Sequence, residues 1–147
     1  TLIAGSKAAV EAASAAVKEA GAKRALPLPV SAPFHSSLMK PAAEKLKVAL
    51  AGLQLAAPQI PVLNNIDVAV QTDADAIRDA LVRQLYLPVR WTQCVQALAS
   101  RGVLQVAECG PGKVLTGLAK RIDKSLEAKS LATPGDFQTA IEEWKQA

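Results

Sequence analysis

Val103-Leu104-Gln105-Val106-Ala107-Glu108-Cys109-Gly110-Pro111-Gly112-Lys113-Val114-Leu115 is where one periodicity gives way to another. Val103 to Ala107 reads as a buried strand and Gly110-Pro111-Gly112 as a sharp turn. Leu115, Leu118 and Ile122 then recur at helical spacing. A second extended piece, Ala128 to Leu131, comes next. Thr133-Pro134-Gly135-Asp136 then supplies a cap, a first-turn proline and an acidic third position for a helix carrying Phe137, Ile141 and Trp144. Strand, helix, strand and helix in succession predict an α/β protein with a mostly parallel, helix-covered sheet.

Working back from that stretch, Trp91 to Ser100 reads as a helix with Val95 and Leu98 inward and Gly102 closing it. Thr72 or Asp73 starts another, with Ile77, Leu81 and Leu85 at four-residue steps, and Pro88 ends it. Pro58 to Leu63 and Ile66 to Val70 read as short strands around a tight turn at Asn64-Asn65. Ser36 is placed to cap a helix with Leu38, Ala42, Leu46, Ala49 and Leu53 on its inner face. Arg24 to Val30 reads as a strand, and Pro27 and Pro29 restrict it to an edge. Ser6 to Ala20 reads as a helix with Ala9, Val10, Ala13, Val17 and Ala20 on one stripe, stopped at Gly21. The opening Thr1-Leu2-Ile3-Ala4-Gly5 looks like the end of a strand whose beginning is missing, so a fragment is expected.

The chain has 147 residues, of which 50% are hydrophobic and only 3% aromatic, so its core is expected to be built from Ala, Val, Leu and Ile. No apolar run approaches the roughly 20 residues of a membrane span, and neither a membrane segment nor a secretory signal is expected. With two cysteines well apart and a single histidine, the sequence predicts no metal site and a reducing, cytoplasmic setting. A net charge of +4 without an aromatic-studded basic run favours an acidic protein partner over nucleic acid.

The only histidine, His35, stands where Leu28-Pro29-Val30-Ser31-Ala32-Pro33-Phe34-His35-Ser36 passes from extended chain into helix. An imidazole, with an ordinary pKa of about 6.5, is the side chain best matched to general-base work near neutral pH. A lone histidine is more often a surface or satisfied core residue, and position alone does not make it a catalyst. Gly110-Pro111-Gly112-Lys113 is not a phosphate loop, since Ala107 and Val114 stand where a glycine and a hydroxyl residue are needed. Nor is it a dinucleotide fingerprint, because Leu115 takes the third small position. What survives is a strand-to-helix turn at the carboxyl end of a strand, as compatible with plain turn-making as with ligand binding. Cys109 as a nucleophile has no support from spacing and reads as a small core residue. Lys23 and Arg24, then Lys113, Lys120, Arg121 and Lys124, form two small basic groups.

Taken in order, Ala32-Pro33-Phe34-His35-Ser36, Asn64-Asn65, Arg83-Gln84-Leu85-Tyr86 with Pro88-Val89 and Trp91, and Glu108-x-Gly110-Pro111-Gly112-Lys113-Val114-Leu115 resemble the malonyl-CoA:acyl carrier protein transacylase family. The resemblance is to its bacterial type II fatty acid synthesis members. It runs along essentially the whole chain but matches only about the C-terminal half of such an enzyme. It implies an α/β-hydrolase-like large domain, completed here by residues 32–147, and a ferredoxin-like small subdomain whose back part is residues 1–31.

The resemblance also implies that His35 is the general acid/base and that the backbone carbonyl of Gln84 orients its ring. Phe34 shapes the acyl pocket for malonyl rather than a bulkier unit. Malonyl-CoA and acyl carrier protein are the implied partners, the latter through its phosphopantetheine arm. No permanently bound cofactor is implied, nor any membrane or nucleic-acid partner. A docking surface for the acidic carrier is expected to include Lys23, Arg24, Lys120 and Arg121. No Gly-x-Ser-x-Gly elbow occurs in the sequence. The family's nucleophilic serine, its carboxylate-binding arginine and its oxyanion glutamine belong to the missing N-terminal half, which becomes a further partner. The chain alone is therefore predicted to be inactive. Two other readings stand beside this one: a non-catalytic binding or regulatory module of the same fold, and the acyltransferase portion of a polyketide synthase.

Overall fold

The computed structural model describes residues 2–145, and Thr1, with which the expected small subdomain begins, lies outside them. The chain divides into two compact units, one running to Val89 and one from Arg90 onward.

In the first unit, α1 (Lys7–Glu19) starts where Ser6 Oγ accepts the amide of Ala9. Its expected apolar stripe is largely open to solvent, and none of its residues is buried. Arg24 to Val30 forms no strand, contrary to the sequence reading. Pro27 and Pro29 remove alternate donors, and the Val30 amide turns back onto Leu28 O, 2.9 Å away, in a three-residue turn. Ser36 does not cap an α-helix either; its Oγ donates to Pro33 O at 2.7 Å, and a 3-10 turn over Ser37–Met39 intervenes.

α2 (Lys40–Ala51) therefore begins later than expected; of the expected inner series Leu46 does pack on the core, while Ala43 and Leu50 are buried where Ala42 and Ala49 were expected. A turn of about three residues rotates the register of the helix after it. β1 (Leu63–Asn64) and β2 (Ala69–Val70) pair antiparallel around a turn, shorter than the two strands expected. α3 (Ala74–Gln84) is capped by Asp73, whose carboxylate accepts from Asp75 and Ala76. It packs on α2 through Val82 and Leu85. Arg78 of α3 donates to Leu50 O at 3.2 Å and Leu53 O at 2.6 Å, tying the last turn of α2 and the residues just after it to α3.

In the second unit, α4 (Trp91–Ser100) has the predicted bounds and buries Cys94 and Val95. β3 (Gln105–Cys109) starts two residues later than expected and is only half-buried, with Ala107 and Cys109 exposed. Val103 is held in the turn after α4 by its bond to Leu98 O, so the ladder opens at Gln105. α5 (Val114–Ile122) crosses to β4 (Glu127–Leu131), which pairs parallel with β3 from Gln105–Glu127 to Cys109–Leu131. This is the predicted strand-helix-strand unit. α6 (Pro134–Trp144) begins with the predicted capping box: Thr133 Oγ1 accepts the Asp136 amide while the Asp136 carboxylate accepts the Thr133 amide.

Candidate active site

His35 lies at the tip of the Ala32–Ser36 segment with φ 58°, a left-handed conformation uncommon for a residue with a side chain. Such a conformation costs on the order of 1 kcal/mol or more and persists only where its surroundings fix it. Here the end of α3 fixes it. The His35 amide donates to Leu85 O at 3.0 Å, and ring Nδ1 lies 2.9 Å from Gln84 O and 3.2 Å from Leu87 O. Carbonyl oxygens only accept, so Nδ1 carries the proton and the neutral ring keeps its lone pair on Nε2. The imidazole is half-buried.

A second layer steadies those carbonyls. Arg83, immediately before Gln84, forks onto Asp67 in the β1–β2 turn, with Nη1 and Nη2 at 2.8 and 2.7 Å from its two oxygens. Its Nε donates to Asp79 at 2.5 Å. The Asp67 carboxylate foremost, then Asp79, holds the guanidinium still more firmly protonated than usual. Asp67 is aimed by Asn64, whose Oδ1 accepts the Asp67 amide at 2.8 Å while its Nδ2 donates to Ala69 O at 2.9 Å.

The sequence reading thus named His35 and Gln84, and the structure brings them together. It missed the Leu87 carbonyl and the Arg83–Asp67 fork. The fork joins residues 16 apart, and only the Asn64-Asn65 turn signal hinted at it. Phe34 adjoins His35 in sequence, with 47% of its surface exposed.

Lys23 and Arg24 are exposed in the stretch after α1, in the first unit. Lys120 and Arg121 are exposed side by side in the last turn of α5, in the second. Cys109 is a free, exposed thiol rather than a core residue, and Cys94 is buried, its thiol pushed up by that burial.

The Gly110-Pro111-Gly112 turn, with φ of 128° and 104° at its glycines, sends the chain into α5. The helix start is already occupied by Glu108, which accepts the Leu115 and Thr116 amides at 3.1 and 2.8 Å and the Thr116 hydroxyl at 2.8 Å. A resident carboxylate there leaves no anion site for a phosphate. An open groove of about 340 Å³ beside β4 is lined by Lys113, Lys120, Lys129, Asp136 and Glu143. Within it Lys129 is ion-paired to Glu127 and Glu143. Among the described residues no group of three or more His, Cys, Asp or Glu is placed to hold a metal ion. None of their helices is long and apolar enough to cross a membrane.

No family model matches the chain. It is 60% identical over 141 residues to the malonyl CoA-acyl carrier protein transacylase of Escherichia coli K12, a match covering 96% of this chain and 46% of that protein. To the Bacillus subtilis enzyme of the same name it is 43% identical over 145 residues, 99% of this chain and 46% of the relative. Among solved structures, an acyl-carrier-protein S-malonyltransferase from Burkholderia pseudomallei matches with TM-score 0.89 at 59% identity, covering 94% of this chain and 45% of that one. A malonyl-transacylase in complex with a type II PKS acyl-carrier protein matches with TM-score 0.92 at 55% identity, over 95% and 45% of the two chains. The chain is thus homologous to these transacylases along nearly its whole length, and it spans about half the length of the relatives it matches.

Proposed function

We propose that this chain supplies the proton-transfer half of a malonyl-CoA:acyl carrier protein transacylase. The observation that carries the reading is the His35 ring, with Nδ1 held by two backbone carbonyls and Nε2 left with its lone pair. In the proposed reaction Nε2 takes the proton of a serine hydroxyl contributed by the other half of the parent enzyme. The serine oxygen bonds to the malonyl thioester carbon, the carbon–sulfur bond breaks, and the coenzyme A sulfur leaves with the proton from the imidazolium. The second half-reaction repeats this in reverse sense. Nε2 deprotonates the phosphopantetheine thiol of acyl carrier protein, the sulfur attacks the seryl ester, and the serine oxygen leaves with the proton. A carbonyl in place of a triad carboxylate fixes the tautomer with less stabilisation of the imidazolium, which suits a base that must return its proton twice per cycle.

In this reading Phe34 walls the acyl pocket on the α-carbon side of malonyl. No cofactor is held permanently; coenzyme A and phosphopantetheine arrive as thioester and thiol. Residues 32–147 complete an α/β-hydrolase-like large domain, and residues 1–31 form the back part of a ferredoxin-like subdomain. Two cysteines without a disulfide between them fit a cytoplasmic setting. Without the serine the chain alone is inactive.

The test is complementation: the chain mixed with the separately produced remainder of a relative and assayed for malonyl transfer to acyl carrier protein. Recovered transfer that falls roughly 10²- to 10⁴-fold in His35→Gln supports the reading. Transfer indifferent to that substitution refutes it. Lys23, Arg24, Lys120 and Arg121 are proposed to dock the acidic carrier. Lys120→Glu with Arg121→Glu is expected to raise KM for carrier protein several-fold and leave that for malonyl-CoA unchanged. An unmoved carrier KM removes those two side chains from the docking surface.

A further inference from the structure

We infer that Pro88 is a positioning residue for His35, acting by withholding a hydrogen-bond donor from Gln84 O. This deepens the proposed role of His35 and rests on it for its functional meaning. Along α3 each amide reaches back to the carbonyl four residues earlier. Past its end the Leu85 and Tyr86 amides reach back only three residues, to Val82 O and Arg83 O, and the Leu87 N–H then returns to the four-residue step, donating to Arg83 O at 2.9 Å. The next step would run from residue 88 to Gln84 O, and residue 88 is proline, with no N–H to give. Gln84 O therefore receives no amide from residue 88, and it lies 2.9 Å from His35 Nδ1.

The proline acts a second time. Its ring disfavours helical backbone at the residue before it, so the turn that follows α3 goes no further than Leu87, whose carbonyl lies 3.2 Å from the same nitrogen. Leu85 O, likewise left without a helical donor, takes the His35 amide at 3.0 Å. Three carbonyls at the end of one helix are thus kept for one residue, and the bond that would compete for the closest is chemically impossible.

His35 is the only histidine, so its two ring nitrogens can be read without ambiguity in the ¹⁵N-labelled chain at about pH 8.5, where imidazoles are neutral. The unsubstituted chain is expected to hold the Nδ1–H tautomer. In Pro88→Ala the new amide takes Gln84 O and becomes protected from exchange, and the Nδ1–H population drops several-fold. Placing lactic acid at position 88 makes an ester linkage with neither ring nor N–H, and this is expected to restore the original tautomer.

A Pro88→Ala chain that keeps its Nδ1–H tautomer overturns the inference, as does an ester variant that behaves like the alanine one. If circular dichroism shows Pro88→Ala unfolded, the ester variant decides alone: retention of Nδ1–H supports the inference and its loss refutes it. These readouts involve no catalysis. An unaltered tautomer response alongside failed malonyl transfer would reject the enzymatic reading and leave the role of Pro88 standing.

Discussion

His35 owes its setting to a competition settled within a few ångströms. A left-handed backbone is accepted because one amide bond and two ring contacts reward it, all to the end of α3. That arrangement is only as firm as the last turn of α3, and Arg83 is what ties the turn down. Its fork onto Asp67 is about three-quarters shielded on both sides, with side-chain exposures of 26% and 29%, so it is screened less than a surface pair. Arg83→Met removes three charge-assisted bonds and is expected to cost about 2 kcal/mol, read as a lower urea midpoint. Arg83→Lys keeps the charge but not the planar fork and is expected to recover less than half of that loss. A midpoint unchanged in Arg83→Met means the fork does not hold the turn.

At the scale of elements, α5 depends on a charge for its first turn. The Thr116 amide foremost, with the Thr116 hydroxyl and the Leu115 amide, holds the Glu108 carboxyl below its usual range. A carboxyl whose pKa is lower folded than unfolded contributes stability above its unfolded value, about 4.5, and loses it as pH falls through the folded one. Acidification below about pH 4.5 is therefore expected to release the Leu115 and Thr116 amides to hydrogen exchange before the rest of α5. Glu108→Gln should remove that acid step, and amide protection of residues 115 and 116 that is flat with pH would contradict the assignment.

The elements also show what a sequence discloses. α4 and α6 were legible because local chemistry sets their ends: Gly102 after one, and Thr133, Pro134 and Asp136 before the other. α2 was misphased because a 3-10 turn at Ser37–Met39 shifted its register, and spacing alone carries no signal for that. The strand expected at Arg24 to Val30 did not form, since ladder pairing needs a neighbour that no local pattern supplies. His35 meets Gln84 across 49 residues. That meeting was anticipated by resemblance and not by periodicity.

For the molecule as a whole, surface area is the decisive quantity. The chain exposes 10545 Å² at a mass of 15.3 kDa. Two separately compact pieces of the lengths of its two units would expose only about 8,600 Å². The excess is partly apolar: Ile60 is 77% exposed, Val114 70% and Leu104 66%, and α1 buries no residue. Among the described residues β3 pairs only with β4, although parallel strands are ordinarily covered on both faces and flanked by further strands. Relatives about twice as long have a second half with which to cover such surface. On its own, the chain is therefore expected to bind a hydrophobic dye and to sediment as concentration-dependent oligomers. Adding the separately made remainder of a relative should suppress both signals in a one-to-one titration. A chain that sediments as a monomer at every concentration, binds no dye and unfolds in one sharp reversible transition would mean that its exposed faces need no cover.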